Sequence, residues 1–144
     1  MKNLSGGALR CVLVLLGIVN ILIGINVGFG GIQTLGMQGA TRFLEITDQH
    51  VFLVQDSHIR YFGGLYIGIG LFLVFAVMKL HKFRTALNLI FFITFIGGLA
   101  RLTMNRPDIL FGPELIVSFL AEILLMPLLY FWLRSVAHEH HLAY

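Results

Sequence analysis

Charge is what this sequence has least of. Only 12% of its 144 residues are charged against 58% that are hydrophobic, and no charged residue lies between Arg10 and Arg42 or between Arg60 and Lys79. With a mean hydropathy of +0.89, a soluble domain of this size is excluded. Crossing roughly 30 Å of hydrocarbon takes about 20 helical residues, so runs of this length are read as membrane spans. Cysteine is nearly absent too: Cys11 stands alone, which excludes intrachain disulfides and the thiol-disulfide class of membrane oxidoreductases. The apolar runs hold no Gly-rich phosphate loop, no Ser-His-Asp set and no metal-spaced histidines, which argues against a hydrolase and implies no cofactor or metal. No small-x-small cleavage site follows Lys2, Arg10 and the first apolar run, so that run is read as an uncleaved span. The formal charge of +3 does not indicate nucleic acid, because the basic residues flank apolar runs and form no patch with aromatics.

What is present reads as an all-α integral membrane four-helix bundle, a single domain over 1–144 with spans near 8–30, 61–78, 85–104 and 115–133 and a long connection over 31–60. In the first span, Gly24-x-x-x-Gly28 places two glycines on one face where a neighbouring helix can approach closely. Asn20 and Asn26 point about 240° apart on a helical wheel, and each is read as interhelical glue. The connection, with its short Val51-Phe52-Leu53-Val54 run, is expected to lie on the surface. Asp56 or Ser57 is the expected N-cap of the second span. There Arg60, Gly64 and Gly68 recur every fourth residue, so Arg60 is expected to face inward with the glycines. Lys79, His81, Lys82 and Arg84 form a tight basic turn, and Asn105-Arg106-Pro107-Asp108 forms another.

The basic residues set an orientation. Lys2, Arg10, Lys79, Lys82, Arg84 and Arg134 belong to one side, and Arg42, Arg60, Arg101 and Arg106 to the other, with Glu45, Asp48, Asp56, Asp108 and Glu114. The positive-inside rule then puts both termini in the cytoplasm and the long connection outside. Trp132 and Tyr130 read as an interfacial anchor at the inner end of the fourth span.

Three ionisable side chains stand within or at the ends of spans. Arg60 lies at the outer mouth, Arg101 about a turn inside, and Glu122 deeper in the fourth span ahead of a kink at Pro127. A carboxylate at that depth needs a partner or a proton. The expected constellation is therefore Asp56, Arg60, Arg101 and Glu122, with His58, Arg106 and Glu114 peripheral to it. Either these groups neutralise one another as a clasp, or the arginines receive a lipid head group or a small anionic ligand from the outer side. His138, His140 and His141 sit in a solvated tail and are not read as a metal site.

The Asp56 to Gly64 approach with Arg60, Gly98 with Arg101, and Glu122 followed by Pro127 together resemble a bacterial family of four-span membrane proteins known as domain of unknown function four-three-four-five, distantly similar to DoxX-like proteins. The resemblance implies a four-helix membrane bundle and supplies no activity, cofactor or catalytic residue. The leading expectation is a non-enzymatic module of the bacterial inner membrane whose outward-facing pocket or ion-pair clasp binds lipid or a small anion. The alternatives are a proton-linked small transporter using Glu122 and a membrane enzyme acting on an apolar substrate. The partners this admits are the bilayer, such a ligand, and a second copy or a larger membrane complex.

Overall fold

The computed structural model describes the backbone of residues 2–37, 46–113 and 115–141, and the side chains of 5–34, 46–113 and 115–136. Arg42, Glu45, Glu114 and the side chains of His138, His140 and His141 lie outside the described residues. Among those described there is no strand. The long helices are α1 (Lys2–Gly30), α2 (Gln49–Ala76) and α3 (Leu80–Arg101). A short α4 (Pro107–Leu110) follows, and then α5 (Ile116–Leu120), a π turn (Ala121–Leu125) and α6 (Met126–His141) run on without interruption. Single turns of 3-10 helix follow α2 (Val77–Lys79) and α3 (Leu102–Met104), and a longer one, Gly31–Met37, follows α1.

Three stretches are long and apolar enough to cross a membrane: Ser5–Thr34, Gln49–Met104 and Ile116–Val136. Large apolar side chains on them point outward, with Phe29 76%, Val117 75% and Leu128 64% exposed. A water-soluble fold would bury such groups, whereas hydrocarbon solvates them.

The chain divides into two compact units, Leu13–Val77 and Met1–Val12 with Met78–Tyr144. In the first, α1 and α2 meet along a glycine seam. A Cβ on Gly17 would lie 2.8 Å from the Gly70 carbonyl oxygen and one on Gly24 2.7 Å from that of Gly63, while one on Gly63 would overlap the backbone of Gly28. The close approach expected at Gly24-x-x-x-Gly28 is thus made by α2. The face α2 presents differs from the expected one, however. Its buried residues include Asp56, Gly63 and Gly70, spaced by seven, while a Cβ on Gly64 or Gly68 would meet nothing within 4 Å. A seven-residue spacing keeps one stripe against a neighbouring helix, and that stripe runs beside, not through, Arg60.

The start of α2 corrects a second expectation. Asp48, not Asp56 or Ser57, is its N-cap, with extended backbone (φ −132, ψ 113) and a side chain accepting from the N–H groups of His50 and Val51. This satisfies donors that the first helical turn leaves unpaired. The Val51–Val54 run expected on the surface is therefore in the first turns of α2. Asn20 is not interhelical glue either, since its Nδ2 donates to the Leu16 carbonyl one turn back in its own helix (2.8 Å).

In the second unit, α3 packs on the π turn and on α6, around buried Leu87, Phe91, Met126, Leu129 and Leu133. The basic turn expected over Lys79 to Arg84 is shorter than that. Its break is Val77–Lys79, with Lys79 at φ −139, ψ 60, and His81, Lys82 and Arg84 already belong to α3. Trp132, expected as an interfacial anchor, donates from its indole N–H to the Ser5 hydroxyl (3.0 Å), tying α6 to the first turns of α1.

The seam gives a paired prediction. Gly63→Ala should destabilise the detergent-solubilised protein by about 1–3 kcal/mol through overpacking, while Gly64→Ala, one residue away, should leave the melting temperature unchanged.

Candidate functional site

Asp56 and Arg60 are one turn apart on α2 and form an ion pair, Nε to Oδ2 at 2.6 Å. Both side chains also reach the end of α1. The other Asp56 oxygen accepts from the Ile32 N–H (2.8 Å), and Arg60 Nη1 donates to the Phe29 carbonyl (2.7 Å). The final carbonyls of a helix have no intrahelical donor and carry its negative dipole end, so a guanidinium suits them. Gly31 makes the turn possible. Its φ of 72 is left-handed, and a Cβ there would strike the Asp56 carboxylate. Asp56 is buried and the Arg60 side chain 45% exposed. The pair closes the end of α1 onto α2.

Arg101, in the last turn of α3, grips Glu122 in the π turn through two parallel hydrogen bonds, Nε to Oε2 at 2.6 Å and Nη2 to Oε1 at 2.8 Å. Gly98, one turn before the arginine, lets the backbones approach. A Cβ there would lie 2.7 Å from that of Glu122. Gly97, equally close in sequence, has no such neighbour. The kink expected at Pro127 takes the form of the π turn: Met126 N–H donates five residues back to the Ala121 carbonyl. Proline can neither donate an N–H nor tolerate the carbonyl four residues before it, and a widened turn is one way a helix absorbs this. The side chains of Arg101 and Glu122 are 33% and 14% exposed.

The four central residues expected from the sequence therefore form two ion pairs, each within its own unit. Of the peripheral ones, His58 is exposed on α2, and Arg106 pairs with Asp108 at 2.8 Å. That pair follows Asn105, whose left-handed backbone (φ 51, ψ 34) turns the chain after α3. The Arg106 hydrogen bond holds the Asp108 carboxyl below its ordinary value, and Asp108 in turn raises Arg106.

Sequence reasoning missed what lies beside Arg101. A cleft of about 150 Å³ is lined by Ala100, Arg101, Thr103, Met104, Leu110 and Leu115. The Thr103 hydroxyl donates to the Ala100 carbonyl (2.7 Å), so its oxygen lone pairs can accept. Leu110 ends the single-turn α4 and Leu115 is the N-cap of α5, positions where too little helix precedes them for periodicity to mark a lining residue. Also unforeseen was the reach of Asp56 to Ile32, a contact between residues 24 apart in sequence. Among the described residues no group of three or more His, Cys, Asp or Glu is placed to hold a metal ion.

Two outcomes follow from these pairs. Arg101→Ala should destabilise the protein by about 2 kcal/mol by leaving a mostly buried carboxylate unpaired, and adding Glu122→Gln should recover part of that loss. Additive losses in the thermal melts would contradict direct coupling. At the exposed pair, the lowered folded-state value of Asp108 means that its contribution is present above the ordinary carboxylate range and is lost as pH falls through the lowered value. NMR titration should show the Asp108 carboxyl rising toward its ordinary value in Arg106→Ala.

A family model described as Domain of unknown function (DUF4345) matches residues 8–133, a range that includes both residues of each ion pair just described within the two units. No curated protein and no solved structure matches the chain.

Proposed function

We propose, from the premise that the chain belongs to the DUF4345 family, that it is a non-enzymatic module of the bacterial inner membrane that binds a small anionic amphiphile beside Arg101. The carrying observation is the cleft itself: a space lined by Arg101 and Thr103 together with Ala100, Met104, Leu110 and Leu115. Its volume of about 150 Å³ equals that of an engineered apolar cavity that takes up benzene. The ligand chemistry that fits is an apolar body of ring size carrying one carboxylate or comparable anion.

Four crossings are part of the proposal. The 56-residue stretch Gln49–Met104 would extend about 84 Å at ~1.5 Å per residue, more than twice what roughly 30 Å of hydrocarbon requires. Its break at Lys79 supports two spans. With Arg60, Arg101 and Arg106 each held in an ion pair, the freely counted positive charge favours the side of Lys2, Arg10, Lys79, Lys82, Arg84 and Arg134, and thus cytoplasmic termini.

The test is binding of benzoate and of decanoate to purified protein by calorimetry. Arg101→Ala should weaken both at least tenfold while Arg60→Ala leaves them unchanged. Preference for decanoate would identify a lipid-derived acid, and preference for benzoate a free small acid. Equal affinity of the parent and Arg101→Ala would refute the site.

A further inference from the structure

We propose that the first turn of α3 binds the head group of an anionic phospholipid, whose chains lie along the same helix. The proposal rests on α3 crossing a membrane and not on the anion site at Arg101. Lys79, the N-cap of α3, and Lys82, three residues on, are both exposed. The first turn carries no acidic residue, and no acid occurs in the sequence between Asp56 and Asp108. Among the described residues neither lysine is in an ion pair, whereas Arg60, Arg101 and Arg106 each are. Glu122 is held by Arg101 at the far end of the 22-residue helix, about 33 Å away at ~1.5 Å per residue. The Lys82 ammonium lies 5.9 Å from the centroid of the Phe83 ring, a contact with an uncharged group. Two cations this close in sequence are complementary to one anion, and their flexible stems let both ammonium groups converge on a single phosphate.

The surface beside Lys82 identifies that anion as a lipid. Residues seven and eleven apart return to nearly the same face of a helix, so Lys82, Leu89 and Ile93 share one stripe, which Ile96 continues. Leu89 and Ile93 are 57% and 58% exposed, and Ile96 is exposed as well. A cation thus heads a stripe of outward-facing apolar side chains. From Lys82 to Ile93 the helix rises about 16 Å at ~1.5 Å per residue, which matches the depth of one leaflet, half of roughly 30 Å of hydrocarbon. A phosphodiester held by Lys79 and Lys82 therefore has its acyl chains beside Leu89 and Ile93. A free phosphate would use the lysines alone. A second copy of the chain, inserted in the same orientation, would bring its own lysines to the same level and add like charge.

Native mass spectrometry of the purified protein, titrated with dioleoyl phosphatidylglycerol and with dioleoyl phosphatidylcholine, compares two head groups on identical chains. Phosphatidylglycerol should bind at least tenfold more tightly. Each lysine removed should weaken it about fivefold, the effect of one basic residue near an anionic surface. Lys79→Gln with Lys82→Gln should therefore bring it to the level of phosphatidylcholine, and Lys79→Arg with Lys82→Arg should keep the preference. Glycerophosphoglycerol, the same head group without chains, should bind at least tenfold more weakly than the lipid. Equal binding of the two lipids, a preference unchanged in the double glutamine variant, or chain-free head group binding as tightly as lipid would overturn the proposal. So would a dimer that excludes the lipid. Benzoate binding at Arg101 should be unchanged in both lysine variants, so the two sites stand or fall separately.

Discussion

A charge carried into an apolar helical protein has to find its counter-charge within reach of its own side chain, and that requirement organises this structure. Arg60 and Asp56 meet it one turn apart, and Arg101 and Glu122 meet it across two helices. Neither pair is only an electrostatic contact. The first closes the end of α1 over a left-handed glycine, and the second is set where a glycine and a π turn bring two backbones together. Small residues recur at these points because a polar pair of fixed reach constrains how far apart the backbones can be. Gly31 and Gly98 are in this sense parts of the ion pairs.

The two pairs differ in what else they touch. Asp56 and Arg60 are tied into backbone groups at Ile32 and Phe29, so removing either partner would disturb a turn as well as a charge. Arg101 instead borders open space. Its bidentate grip on Glu122 joins two side chains across α3 and the π turn. That asymmetry is why binding is assigned to the second pair and a fastening role to the first.

Much of this was legible in the sequence. Long uncharged runs indicated the spans, Gly24 and Gly28 indicated a close helix contact, and the depth of Glu122 called for an arginine that proved to be Arg101. What could not be read was decided by contacts distant in sequence. Asp48, Asp56 and Ser57 are all competent caps by type. Asp48 takes the role, and Asp56 is spent on the Ile32 N–H. Gly63 and Gly64 are adjacent, and a fourfold spacing with Arg60 favours the second, yet it is on Gly63 that a Cβ would overlap the backbone of Gly28, while one on Gly64 would meet nothing within 4 Å. The cleft depends on Leu110, at the end of the single-turn α4, and on Leu115, the N-cap of α5, where too little helix precedes them for periodicity to mark a lining face.

The central claim is that the cleft beside Arg101 holds a small anion, and locating a bound one reads it most directly. A crystal structure of the protein with 3-bromobenzoate, its bromine found by anomalous scattering, places the ligand without assuming the site. The account predicts bromine among Ala100, Met104, Leu110 and Leu115 with the carboxylate toward Arg101. A bound bromine elsewhere on the chain, with the cleft empty, would contradict it.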